Sequence, residues 1–239
     1  MTKPLDAADF RSRRIILEDG DFALIKKSKP LPLNQIDPGS WHHIQDLPDD
    51  VSVRTSDWHG SVLKKEVALM AAWIEKYDFK NGPISSARLD AHDAFQASNF
   101  ARLHGYYAMG VASLRGALEL MAIAARYQDD PKNLRYVAWL QGQSHDGISF
   151  SSSLAANARI DDLTKSKTKS LYGDLCDYAH SRPGRRDADL WRSNGPIYVR
   201  EAFLKTHDLF CRTVEACQNL VERVETPIGP APHARSKRP

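Results

Sequence analysis

The sequence is poor in cysteine. Its 239 residues contain three, Cys176, Cys211 and Cys217. An odd and sparse set does not build the disulfide framework of a secreted domain, so we expect a reducing compartment, the cytoplasm. Cys211 and Cys217 lie six residues apart without a second close-spaced pair, which argues against structural zinc. We therefore expect no tightly bound metal.

The sequence also lacks a large charge excess and the usual cofactor motifs. Lys and Arg total 33 against 30 Asp and Glu, and the net charge of +3 does not by itself argue for nucleic acid. Neither GxGxxG nor GxxxxGK occurs, so no nucleotide cofactor is expected, and the absence of GxSxG excludes the usual nucleophile elbow. The polar first 14 residues lead into no apolar segment of a secretory signal.

Apolar residues recur at helical spacing in every long segment after Ser61. This pattern predicts an all-α fold, a helical bundle preceded by an N-terminal arm. Residues 1–60 form the arm, with a β-hairpin over residues 13–27 and a proline-rich extended stretch after it. Residues 61–225 form the helical domain, and residues 226–239 a disordered basic tail. The helix over residues 161–180 is expected to bury Leu163, Leu171, Leu175 and Tyr178.

One stretch, residues 105–125, is nearly all apolar and long enough to span a membrane. Arg115 and Glu119 stand in its middle, where a bilayer would make both charges costly, so we expect a buried central helix and no membrane contact. The two residues are four apart and share a helical face. We expect both to be mostly buried, within hydrogen-bond reach of Tyr178 or His180. They form either a polar functional site or an ion pair that fixes helix register.

The same helix carries a ridge of small residues on another face, Ala108, Ala112 and Gly116. Small side chains let a neighbouring helix approach closely. The ridge therefore fits either a helix of the same chain or a second copy, and we expect a homo-oligomer.

A second constellation closes the helix predicted over residues 161–180. The segment LYGDLCDYAHSRP places Tyr178, His180 and Arg182 where the helix must break before Pro183. A histidine there suits general acid–base catalysis, and arginines suit phosphate. Alternatively, the histidine bonds the last helical carbonyls and the arginines are solvated. The candidate catalytic residues are His180, Arg182, Arg115, Glu119 and Tyr178.

The helix with its Arg115-x-x-x-Glu119 pair, followed by Tyr178-x-His180, resembles helical proteins of the HEPN type. More narrowly, it is similar to bacterial proteins that share segments such as LYGDLCDYAHSRP and LWRSNGPIY. The resemblance covers residues 61–224. It implies an all-α homodimer with an RNA-related or defence-related role, as a binding and assembly module or as a ribonuclease.

The HEPN-type ribonucleases that the chain resembles carry an Arg, a polar residue after it, and a His separated from the Arg by four to six residues. His180 is the best topological match to that histidine, with Leu175 five positions before it. Arg200 and His207, with six residues between them, are a second match in spacing, followed by Glu201 after the Arg.

Two other classes of function remain open. Three His-Asp pairs, His92-Asp93, His145-Asp146 and His207-Asp208, contain the residue types with which an all-α phosphohydrolase holds a divalent cation. The other class is a purely structural assembly module.

Overall fold

The computed structural model describes residues 44, 46–75, 82–143, 147–179 and 196–225. All described residues belong to one compact unit, His43–Pro239. These residues form α-helices and no strand, which confirms the all-α prediction for the described part. The predicted hairpin and basic tail lie outside it. The helices are α1 Leu47–Trp58, α2 Gly60–Glu75, α3 Pro83–Leu103, α4 Tyr107–Tyr127, α5 Leu134–Leu140, α6 Phe150–Ala156, α7 Asp162–Ala179 and α8 Arg200–Glu225.

The helical part begins earlier than the sequence pattern predicted. We expected it to start near Ser61, but α1 already starts at Leu47. Pro48 lies in the first turn of α1, where its missing N–H costs no intrahelical hydrogen bond. Asp49 and Asp50 follow in the same turn and interact favourably with the positive end of the helix. The prediction of an extended chain at Pro48 is therefore wrong, because this proline marks the start of a helix.

The central helix of the described unit is α4, which packs against α3, α8, α7 and α6. Its predicted core face is fully buried at Tyr107, Val111, Leu114, Leu118 and Met121. Among the described helices, α4 is also long and apolar enough to cross a membrane by length and composition. Because this face packs on neighbouring helices, the prediction of a central, buried helix is confirmed.

The helix α7 buries a different stripe from the one expected. Leu171 and Leu175 are buried as predicted, together with Thr168, but Leu163 is exposed. Leu163 lies five residues before Thr168, and five residues rotate a helix by about 140° from the buried stripe. The predicted set therefore mixed two faces of one helix.

Two glycines of α4 differ sharply in their surroundings. A Cβ added at Gly110 would lie 2.6 Å from Cγ of Arg102 and 3.1 Å from the carbonyl oxygen of Ser98. A Cβ added at Gly116 would meet nothing within 4 Å. Gly116 and Ala112 of the predicted ridge are both exposed, so this part of the ridge stays open to solvent.

We expect Gly110→Ala to lower the free energy of unfolding by about 1–3 kcal/mol, because the buried Arg102 stem and the backbone of α3 must shift. Gly116→Ala should instead raise it by about 0.5–1 kcal/mol, since alanine is the better helix former. Urea unfolding of both variants measures the difference. Equal effects of the two substitutions would show that Gly110 does not make room for Arg102.

Candidate functional site

Three charged or titratable side chains from three helices meet inside the bundle. We call Glu66 of α2, Arg102 of α3 and His207 of α8 the Glu66 triad. The Glu66 and Arg102 side chains are 1% and 0% exposed, and that of His207 is 16% exposed. Oε2 of Glu66 accepts a hydrogen bond from Nη2 of Arg102 at 2.7 Å, and Oε1 lies 2.6 Å from Nδ1 of His207. One carboxylate thus ties three helices together.

The Arg102 guanidinium is enclosed by aromatic rings. Its Cζ lies 5.7 Å from the ring centroid of Phe203 and 5.1 Å from that of Phe210, and Nη2 also donates to Oδ1 of Asn99. Nε and Nη1 are buried without a hydrogen-bond acceptor among the described residues. The two cation–π contacts stabilise the charge, but Glu66 is its ion-pair partner. Glu66 is therefore the counter-ion that compensates the burial of the Arg102 charge.

The same carboxylate sets the orientation of the His207 ring. An ionised carboxylate can only accept, so Nδ1 of His207 donates the proton in this bond. When the ring is neutral, Nε2 then carries the lone pair and can act as a base. Because the side chain is partly exposed, His207 is the member of the Glu66 triad that can exchange protons with solvent or a ligand.

The thiol beside His207 is not an activated nucleophile. Sγ of Cys211 lies 3.8 Å from Nδ1 and 3.7 Å from Nε2, so it sits beside the ring and points at neither nitrogen in particular. Burial is the main cause that raises the pKa of Cys211 above its usual range. The sulfur therefore remains a protonated thiol near neutral pH.

A second histidine lies at the junction of α1 and α2. Nε2 of His59 is 2.6 Å from the hydroxyl of Tyr198, and its ring stacks on Phe203 with centroids 4.6 Å apart. Burial, and then the positive charge of Arg200, lower the pKa of His59. His59 and Tyr198 thus meet beside Phe203, near the beginning of α8.

Two of the predicted site residues, Arg115 and Glu119, form a separate group with Tyr172. Nη2 of Arg115 lies 3.7 Å from Oε2 of Glu119, which accepts a hydrogen bond from the Tyr172 hydroxyl at 3.2 Å. Their side chains are 27% and 32% exposed, so the pair is half-buried and not enclosed as a core ion pair would be. Burial, and next the Glu119 carboxylate, raise the pKa of Tyr172. The Tyr172 ring stacks on Phe150 with centroids 3.8 Å apart.

The other predicted residues lie at and beyond the end of α7. Tyr178 packs against the buried cluster of Tyr107, Ala202 and Phe203, and Nζ of Lys205 lies 5.8 Å from its ring centroid. The end of α7 is therefore next to the beginning of α8. His180 and Arg182 lie outside the described residues, and the predicted contact of Arg115 or Glu119 with Tyr178 or His180 stays a prediction.

Sequence reasoning missed Glu66 and Arg102, and it included His207 only in a spacing match and a His-Asp pair. The local sequence gave little sign of either residue. Glu66 lies two turns before the buried Trp73, but the adjacent Lys64 and Lys65 made it look like part of a solvated charged face, and Arg102 lies one turn after the buried Ser98. Their burial, which the structure shows, is what marks the two charges as a pair.

Of the three His-Asp pairs, His145-Asp146 lies outside the described residues, Nε2 of His92 lies 2.9 Å from Nε2 of Gln96, and both members of His207-Asp208 have other partners. Nδ1 of His207 is bonded to Glu66, and Asp208 accepts from Arg212. Within the described residues, no group of three or more His, Cys, Asp or Glu side chains is placed to hold a metal ion. Comparisons with protein-family models, with curated proteins and with solved structures find no match to this chain.

Proposed function

We propose that this chain is a HEPN-like helical module that binds single-stranded RNA and cleaves it without a metal ion, with His207 as the proton-transferring residue. The observation that carries the proposal is the 2.6 Å contact between Nδ1 of His207 and a carboxylate that Arg102 holds in place. A carboxylate that orients a histidine in this way is a recurrent device for general acid–base catalysis.

The chemistry that suits such a histidine is attack by a neighbouring ribose hydroxyl. Nε2 of His207 accepts the proton of the 2′-hydroxyl, and that oxygen bonds to the adjacent phosphorus. The bond from phosphorus to the 5′-oxygen breaks, and the leaving oxygen takes a proton from water or from a protonated side chain. The products are a 2′,3′-cyclic phosphate and a 5′-hydroxyl end. DNA lacks the attacking hydroxyl and is not cleaved.

The surroundings of His207 supply groups that bind a phosphate. Arg200 is exposed at the first residue of α8, and its charge reaches His59 and Tyr198. A guanidinium forms strong hydrogen bonds with phosphate oxygens. Arg200 lies two helical turns before His207 on the same face of α8, so its charge supports the binding of an RNA backbone on that face. Lys205 lies beside the ring of Tyr178, on another face of the helix from His207.

The purified chain should cleave single-stranded RNA in buffer that contains EDTA, leaving 2′,3′-cyclic phosphate ends, because the reaction needs only proton transfer and phosphate binding. A panel of labelled RNA oligonucleotides of mixed sequence is the substrate, and the matching DNA oligonucleotides are the control. His180→Ala, measured in parallel, shows whether the residue predicted from the sequence shares the activity.

Two results would contradict the proposal. One is the absence of cleavage across the RNA panel with folded protein. The other is activity that EDTA abolishes and a divalent cation restores, which would favour the His-Asp phosphohydrolase. If His180→Ala alone removes the activity and His207→Asn does not, the Glu66 triad is a structural ion-pair network.

A further inference from the structure

The outer face of α2 is unusually apolar for an exposed surface. Of its 16 residues, only Glu66 and Trp73 are buried, and the side opposite them is open to solvent. Val67 and Ile74 are 66% and 43% exposed. Two large aliphatic side chains on one helical face, with alanines between them, present a surface that favours burial against another helix.

The exposed charges of α2 are placed at its two ends. Lys64, Ala68, Ala71 and Glu75 are all exposed and recur at spacings of four, three and four residues, so they form one straight stripe. The stripe has a cation near its beginning, an anion at its end and small side chains between. Neither the Lys64 nor the Glu75 side chain has an ion pair or hydrogen bond with another described residue.

Two antiparallel copies of α2 would place these opposite charges next to each other. In two antiparallel copies of α2 centred between Leu69 and Met70, residue 64 of one copy stands opposite residue 75 of the other, and 68 opposite 71. Each Lys64 then faces a Glu75 and each Ala68 faces an Ala71, at both ends of a two-fold axis. Val67 and Ile74 lie on the same flank of the stripe. The two-fold axis places this flank of both copies together, so Val67 of one copy lies beside Ile74 of the other.

We infer that the outer face of α2 is the surface through which two copies of this chain associate, antiparallel and about a two-fold axis. The inference is independent of the proposed RNA chemistry. Another exposed apolar groove, between α3 and α4, contains Phe100 and Met109. The groove is lined by a single charged residue, Asp93, and so offers no pair of opposite charges to set an orientation. Charge complementarity therefore selects α2 and a second copy of it.

Charge-reversal variants and sedimentation equilibrium test the inference. A dimer of the wild-type protein should be detected when the protein concentration is raised to about 200 µM. A single helix pair is at the small end of specific interfaces, so a micromolar Kd is expected. Lys64→Glu places two carboxylates opposite each other at both ends of the helix pair, and Glu75→Lys places two ammonium groups there. Each should raise the dimer Kd about tenfold or more, because every substitution creates two like-charge contacts.

A mixture of the two variants provides the decisive result. In a heterodimer of Lys64→Glu with Glu75→Lys, one end of the helix pair regains an opposite-charge contact between the two substituted side chains, and the other end keeps the native contact between Glu75 and Lys64. The mixture should therefore dimerise as the wild type does. Circular dichroism confirms that the variants are folded, and Met109→Lys in the α3–α4 groove is the control that should leave the dimer intact. Three results would overturn the inference: a monomeric wild type, a dimer Kd that the α2 charge reversals leave unchanged, or dissociation of the dimer by Met109→Lys alone.

Discussion

Glu66→Gln should lower the free energy of unfolding by about 3–5 kcal/mol, the usual cost of removing one partner of a buried ion pair. Glutamine keeps the shape of the side chain but removes the charge. Arg102, which is 0% exposed, would then be a buried cation without a counter-ion. The cation–π contacts with Phe203 and Phe210 stabilise it only in part, by up to about 2 kcal/mol.

An exposed ion pair of the same chain is the matched control. Arg54 and Asp50 form an i,i+4 pair on α1, with Nε and Oδ2 2.9 Å apart and both side chains more than half exposed. Asp50→Asn should change the free energy of unfolding by less than about 1 kcal/mol, because water replaces the lost partner. Urea unfolding followed by circular dichroism compares the two variants.

The double variant Glu66→Leu with Arg102→Met shows whether the two charges depend on each other. It should be less destabilised than the sum of the single variants Glu66→Leu and Arg102→Met, because no unpaired charge remains in the core. Additive effects of the two substitutions would mean that Glu66 is not the counter-ion of Arg102. The contact at 2.7 Å would then carry little of the stability of the bundle.

The sequence was most informative where the spacing of apolar residues within a single helix was enough to predict its buried face. The core face of α4 follows from the spacing of Tyr107, Val111, Leu114 and Leu118 alone, because a helix that is apolar nearly all round has to be central. The start of α1 was missed because Pro48 is compatible both with extended chain and with a first helical turn. A local signal with two physical readings does not decide between them.

The Glu66 triad could not be read from local patterns. Arg102 and His207 are 36 and 141 residues from Glu66 along the chain, and each lies on a different helix. Only the packing of α2, α3 and α8 brings them together. Arg115 and Glu119 are recognisable in the sequence because they share one helix, yet they are half-buried, and Glu119 accepts a hydrogen bond from Tyr172. The less visible pair is the one that the core encloses.

His207→Asn should lower the rate of RNA cleavage by about 10²–10⁴-fold, the usual contribution of a general acid or base. The Asn amide nitrogen takes the place of Nδ1 and can still donate to Glu66, so the ion pair with Arg102 remains. What the substitution removes is Nε2, the atom that accepts the proton. The variant should therefore lose activity with little loss of stability, which separates a catalytic role from a structural one.

Asp208→Asn is the control for the neighbouring position. Asp208 is exposed and accepts from Arg212 on the surface of α8. Its replacement should leave the RNA cleavage rate unchanged, because its described partner is on the surface and not in the Glu66 triad. Loss of activity in this variant would instead favour the His207-Asp208 pair as a metal-binding unit.

The most direct measurement is the single-turnover rate of RNA cleavage in EDTA by the wild type and by His207→Asn, with urea unfolding of the same samples. If His207 transfers the proton, the wild type cleaves, and the variant is folded with a similar free energy of unfolding but a rate lower by about 10²-fold or more. A folded His207→Asn variant that cleaves RNA as fast as the wild type would contradict the proposed role of His207.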